Sequence, residues 1–210
     1  VYESTHAFTA ESGYMRYEIS KHTGDLVKIE KNGLNLLKEP VKLTAWRAPI
    51  DNERTIKQKW GHENVWEGEN IDRIFDKLYS IECSDNIITI NKSLAGVGRS
   101  PFFRYSVTYA FFDDGSVCID LNGKVRDNCM WLQRIGFEFR LPYENDKFRY
   151  FGKGPYENYC DMNLHTTTGF FESDADKEYI PYIMPQEHGN HTNCKYLKIH
   201  NSLEFSTDDI

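Results

Sequence analysis

No stretch of this chain is apolar for long enough to cross a bilayer as a helix, which takes roughly 20 consecutive residues. No cleavable signal sequence opens it. An excess of positive charge is missing as well: 25 Lys and Arg stand against 32 Asp and Glu, for a net charge of −7. That argues against nucleic acid as a partner, because phosphate backbones need a basic footprint. Cysteine is sparse, odd in number and scattered over Cys83, Cys118, Cys129, Cys160 and Cys194, with no C-x-x-C pair. The pattern fits free thiols in a reducing, cytoplasmic setting better than a disulfide framework. Catalytic signatures are also absent. There is no nucleophile-elbow serine, and Gly152-Lys153-Gly154 lacks the spacing of a dinucleotide fingerprint or a phosphate loop.

What the chain has is aromatic residues: thirteen Tyr, thirteen Phe and four Trp, a composition that favours strands. Tyr14, Arg16 and Glu18 alternate with Met15, Tyr17 and Ile19. Phe103, Tyr105, Val107, Tyr109 and Phe111 share one strand face, with Arg104, Ser106 and Thr108 on the other. Thr23-Gly24, Asn32-Gly33, Asp85-Asn86 and Asp114-Gly115 are turn signals between such runs. Only Trp60–Ser80 carries a helical period, with Ile71, Ile74, Phe75 and Leu78 at i, i+3, i+4, i+7 and Asp72, Arg73, Asp76 and Lys77 facing outward. These patterns predict a mainly all-β fold, a large antiparallel sandwich with one short helix near residues 70–78. With no repeat, low-complexity tract or linker, residues 1–210 are expected to form a single domain. Val1 begins mid-pattern without a Met, and the last strand stops close to Ile210. Both lead to the expectation of a piece of a longer protein, incomplete at its C-terminus.

Three segments stand out. Trp46–Arg54 reads WRAPIDNER, a strand end broken by Pro49 with an Asx turn at Asp51-Asn52. Tyr150–Met162 reads YFGKGPYENYCDM. Its two glycines and proline turn the backbone, and Tyr156, Glu157, Asn158, Tyr159 and Asp161 follow as a mix of aromatic faces and hydrogen-bonding heads. Sugars call for that mix, since a pyranose has apolar C–H faces and a rim of hydroxyls; a tight structural turn calls for it equally. Residues 178–200 form a Pro-broken polar loop running into a strand. Glu187, His188, His191 and Cys194 could ligate zinc by residue type. They do not make H-E-x-x-H, and Pro185, Gly189 and Asn190 deny them a common helix face, so no metal is expected. Glu157 and Asp161 are a tempting pair of glycosidase carboxylates. Nothing in the sequence marks either as buried or raised in pKa, so no catalytic residue is assigned.

Taken in order, the stretches at 46–54, 150–162 and 182–199 resemble the C-terminal, small-chain domain of bacterial β-galactosidases of glycoside hydrolase family two. That family carries W-R-A-P-x-D-N, then F/L-G-x-G-P-x-E-N-Y-x-D, then P-x-E/Q-x-G-N before a strand. Cys160 stands where the family more often has proline, and His188 where it more often has asparagine. The resemblance implies a galactose-mutarotase-type sandwich that borders the galactoside pocket, while a TIM barrel absent from this chain supplies the catalytic glutamates. It implies that Gly152, Lys153, Gly154, Pro155, Glu157, Asn158, Tyr159 and Asp161 border the pocket. Arg47, Asp51 and Asn52 would support their loop. It further implies a β-galactoside substrate such as lactose, a homo-oligomeric parent, no cofactor in this segment, and magnesium and sodium bound in other domains. Two other readings stay open: a free-standing carbohydrate-binding sandwich, and a mutarotase-like epimerase using His188 and His191.

Overall fold

The structure is a computed structural model that describes residues 1–53, 68–129 and 131–207. It is built almost wholly of antiparallel strands and divides into two compact units, Val1–Arg47 with Glu53–Arg140, and Ala48–Asn52 with Leu141–Ile210.

The first unit holds two larger sheets. One runs β1 (Tyr2–Glu3), β2 (Ala7–Ser12), β3 (Met15–Ser20), β4 (Leu26–Lys31) and β5 (Leu34–Asn35), in that order. The other runs β10 (Val117–Val125), β9 (Phe103–Phe111), β8 (Ile87–Gly96) and β7 (Ile74–Ser84). A two-stranded ribbon pairs β6 (Lys42–Thr44) with β11 (Gly136–Glu138). The turn chemistry is that expected of the sequence. Asn32 and Gly33 both take positive φ, 51° and 83°, which a two-residue type I′ hairpin between β4 and β5 requires. Strand β9 alternates as its sequence does: Phe103, Tyr105, Val107, Tyr109 and Phe111 are all buried.

The two sheets meet face to face, as in a sandwich. Ile19 and Leu26 from one, and Ile88 and Ile90 from the other, have no exposed surface. The Tyr17 and Phe111 rings lie 5.4 Å apart, and the Tyr17 hydroxyl donates to the Gly115 carbonyl at 2.7 Å. One charged group sits in this interior. Lys92, 5% exposed, donates to Asp25 at 2.5 Å and pairs also with Asp76. A buried ammonium persists only when so paired.

The helix expected near 70–78 does not form. Ile71–Arg73 make one 3₁₀ turn, and Ile74–Ser84 is the eleven-residue strand β7, paired with β8 along its length. Ile74, Asp76 and Leu78 face inward, while Phe75 is half exposed. The apolar spacing fits both periods, and the ladder with β8 decides between them. Asp76, partly exposed, turns toward the sandwich side of β7 to pair with Lys92, so the charge that suggested an outer helix face is not on one. Residues 60–67 of the helical stretch, and Arg54 of the first motif, lie outside the described residues.

The second unit is one sheet in the order β13 (Thr167–Asp174), β12 (Lys147–Gly154), β14 (Tyr196–Ile199) and β15 (Glu204–Ser206). Tyr150, on β12, is 2% exposed and packs on Phe148 and Phe171.

Candidate functional site

Strand β12 delivers the Gly-Lys-Gly-Pro turn. Gly154 sits at the strand's end, where a Cβ would stand 2.3 Å from the Tyr150 hydroxyl and 2.6 Å from the Phe171 ring, so no larger residue fits. The Gly154-Pro155 peptide is cis. Pro155 and Tyr156 form the exposed tip, and the chain then dives back so that Glu157 and Asn158 are buried.

Asn158, with no exposed surface, is bonded at every polar atom. Its Nδ2 donates to the carbonyls of Lys153 and Tyr156, both at 3.0 Å. Its Oδ1 accepts from the Thr192 amide at 2.9 Å and the Thr192 hydroxyl at 2.5 Å. Its backbone amide and carbonyl both bond Asn190, at 2.6 Å each. Glu157 accepts from the Gly189 amide at 2.8 Å and from the Tyr182 hydroxyl. That bond, with burial adding to it, holds the Tyr182 hydroxyl above its ordinary pKa. The loop Tyr150–Met162 and the loop over 182–192 are therefore one hydrogen-bonded body.

His191 seals it from below. Its Nε2 bonds the Glu178 carboxylate at 2.9 Å, and its Nδ1 lies 3.1 Å from both the Tyr150 hydroxyl and the Lys153 carbonyl. The two rings lie 4.4 Å apart. Burial first, then Glu178 and Cys194, push the Tyr150 hydroxyl up to about 12.

The expected pocket-border residues thus divide. Gly152, Gly154, Glu157 and Asn158 are buried, and the Glu157 and Asn158 side chains point into the loop rather than out of it. Lys153 reaches Asn163 at 3.0 Å, Tyr159 is half-buried, and Pro155 and Asp161 are exposed. Glu157 and Asp161 do not converge: one is bound up inside the loop and the other faces solvent. Among the expected supports, the Asp51 amide donates to the Gln186 side chain at 3.0 Å, which ties it to the stretch holding Glu157. Asn52 is exposed. Arg47 lies in the first unit and forms a two-pronged bond to buried Glu53, 2.7 Å on each arm.

His188 and His191 are committed elsewhere than to a common ligand: His188 bonds the Glu178 carbonyl at 3.1 Å and stands edge-on to Tyr179. Among the described residues, no three or more His, Cys, Asp or Glu side chains are grouped to hold a metal ion. Sequence reasoning missed Glu178 and Tyr182 as loop anchors. Both sit in the Pro-broken stretch, where nothing local announces that Tyr182 bonds Glu157, 25 residues away, or that Glu178 bonds His191, 13 residues away.

The family described as Beta galactosidase small chain matches residues 11–209. Curated relatives agree. A β-galactosidase of Actinobacillus pleuropneumoniae is 26% identical over 205 residues, covering 96% of this chain and 20% of its own length. One of Vibrio cholerae is 27% identical over 198 residues, covering 90% and 19%. One of Kluyveromyces lactis is 26% identical over 203 residues, covering 91% and 19%. The chain spans about a fifth of the length of these relatives. With nearly every residue inside that match, the chain belongs to the beta galactosidase small chain family.

Proposed function

We propose that this chain is the small-chain portion of a β-galactosidase and that its β12 loop borders the pocket where a terminal β-D-galactoside, such as lactose, is hydrolysed with retention. The observation that carries the reading is the family match over residues 11–209, which takes in β12 and the whole of its loop. Retaining hydrolysis needs two carboxyl groups about 5 Å apart across the scissile bond. Glu157, the best-placed acid in the loop, is spent on Tyr182 and Gly189, so its role is positional. The nucleophile and acid then come from a TIM barrel outside this chain. In this reading the Glu157–Asn158 knot fixes the Pro155–Tyr156 tip against the substrate side of the pocket. Magnesium and sodium belong to other domains of the same protein, which is a cytoplasmic homo-oligomer.

The test compares the chain alone with the longer protein that contains it. The longer protein is expected to cleave a chromogenic β-galactoside and to release β-galactose first, as seen by NMR. The isolated chain is expected to give the buffer rate. Hydrolysis by the chain alone, or none by the longer protein, overturns the reading.

A further inference from the structure

The face of β7–β10 that points away from the sandwich interior is ordered into rows. Ser80, Asn91, Ser106 and Asn122 lie directly opposite one another across all four strands. The next row is Lys77, Ser93, Arg104 and Lys124. On the far side of the amide row, Glu82 and Asp120 end a third row through Thr89 and Thr108. The surface therefore grades from acid through neutral amide and hydroxyl to base over three rows.

Between the neutral and basic rows the register of β7 slips at Tyr79, which has no partner on β8. A bulge of this kind re-aims a side chain. Tyr79 lies over the face instead of along it: its hydroxyl bonds Ser93 at 3.1 Å and receives Arg104 at 3.2 Å. Lys77 and Arg104 both sit over its ring, at 5.3 and 5.5 Å from the centroid. The result is an open groove of about 400 Å³ lined by Tyr79, Asn91, Arg104, Ser106, Asn122 and Lys124. No carboxylate lines it, in a chain whose net charge is −7. Lys124 pairs with Asp127, and both side chains face solvent.

We propose that this groove binds a sugar bearing a carboxylate or a phosphate. The anion seats on Arg104 and Lys124, the fork and the point charge suited to such groups. The hydroxyls meet Asn91, Ser106 and Asn122, which offer both donors and acceptors as a polyol rim does. The acidic row fixes the direction, because it repels the charged end and leaves only the basic side for it. This site is separate in sequence and chemistry from the β12 loop and stands or falls without it.

The experiment is a titration of the chain, followed by amide NMR, with galacturonate, galactose 6-phosphate, galactose and acetate. The two anionic sugars are expected to saturate, at least about tenfold more tightly than galactose or acetate, with shifts confined to β7–β10. Carboxylate and phosphate sources are told apart by which of the two binds better. Arg104→Gln and Asn122→Asp, both on the exposed face, are expected to weaken binding about tenfold without moving the thermal transition. Equal binding of acetate reduces the groove to a simple anion patch and overturns the proposal, as does equal binding of galactose. Shifts elsewhere overturn it too. So does sedimentation showing that the rows pair with a second copy, acid against base, and that Arg104→Glu separates the copies.

Discussion

Asn158 does for the β12 loop what a disulfide does for a secreted loop, but with polar bonds. A buried amide whose donors and acceptors are all matched is stable; one lost partner leaves orphans inside. Asn158→Ala is expected to cost about 2–4 kcal/mol, because the Thr192 amide and the Lys153 and Tyr156 carbonyls lose their partner together. Asn158→Asp keeps the bonds from Thr192 but cannot donate, so it is expected to fall between wild type and Ala. Chemical denaturation of the three proteins checks the order; an Ala variant as stable as wild type removes the knot as the loop's support. Lys92 makes a second residue-scale case. Removing it leaves the mostly buried Asp25 and the partly exposed Asp76 without their cation, so Lys92→Met is expected to cost about 3 kcal/mol. Replacing all three by apolar residues of similar size is expected to restore most of that loss. If the triple variant is worse than Lys92→Met, the ion triad contributes more than its own desolvation costs.

Elements were legible where one strand decides its own faces. The alternation in β9 and the Asn32-Gly33 hairpin are local, and both are present. The stretch from Ile71 to Leu78 was misleading because four apolar residues at helical spacing also satisfy a strand once one of them is left exposed. Phe75 is that residue. Only pairing with β8, the next strand along, breaks the tie, which no single-strand pattern can show, and the turn before β7 contributes. Asn70 sits in the left-handed region at φ 53° and its side chain donates to the Val97 carbonyl at 2.8 Å, which holds the chain against the end of β8. Gly96 makes that approach possible, since a Cβ there would lie 1.8 Å from the Glu69 carbonyl oxygen. Gly96→Ala is expected to destabilise by about 1–3 kcal/mol, because backbone rather than a flexible side chain must yield. Hydrogen exchange should show the loss first at the β7–β8 ladder. Uniform loss over both units would mean that this approach does not anchor β7. The candidate loop was legible as a turn for the same local reason. Its anchors were not, because Asn190 and Thr192 lie more than thirty residues from Asn158.

At the scale of the whole molecule, the aromatic content that marked the chain as β also sets its response to alkali. The hydroxyls of Tyr17 and Tyr150 are pushed up to about 12, in each case first by burial. Burial pushes Tyr105 and Tyr109 higher still, with Asp25 adding to both. The ordinary value is 10.0, so the folded chain holds these protons where the unfolded chain releases them. A raised folded value means that the contribution to stability is complete below pH 10 and drains away as pH climbs to about 12 and beyond. Tyrosinate absorbance, followed together with the strand signal in circular dichroism, tests this. Most of the thirteen tyrosines are expected to ionise while the strands persist, and a last group only as they are lost. Tyr109→Phe removes one of the trapped protons while keeping the ring, so it is expected to shift the alkaline transition upward and to shrink that last step. If all the tyrosines ionised in one step with the strands intact, the interior hydroxyls would be in contact with water, and the sheet packing drawn from Tyr17, Tyr105 and Tyr109 would be wrong.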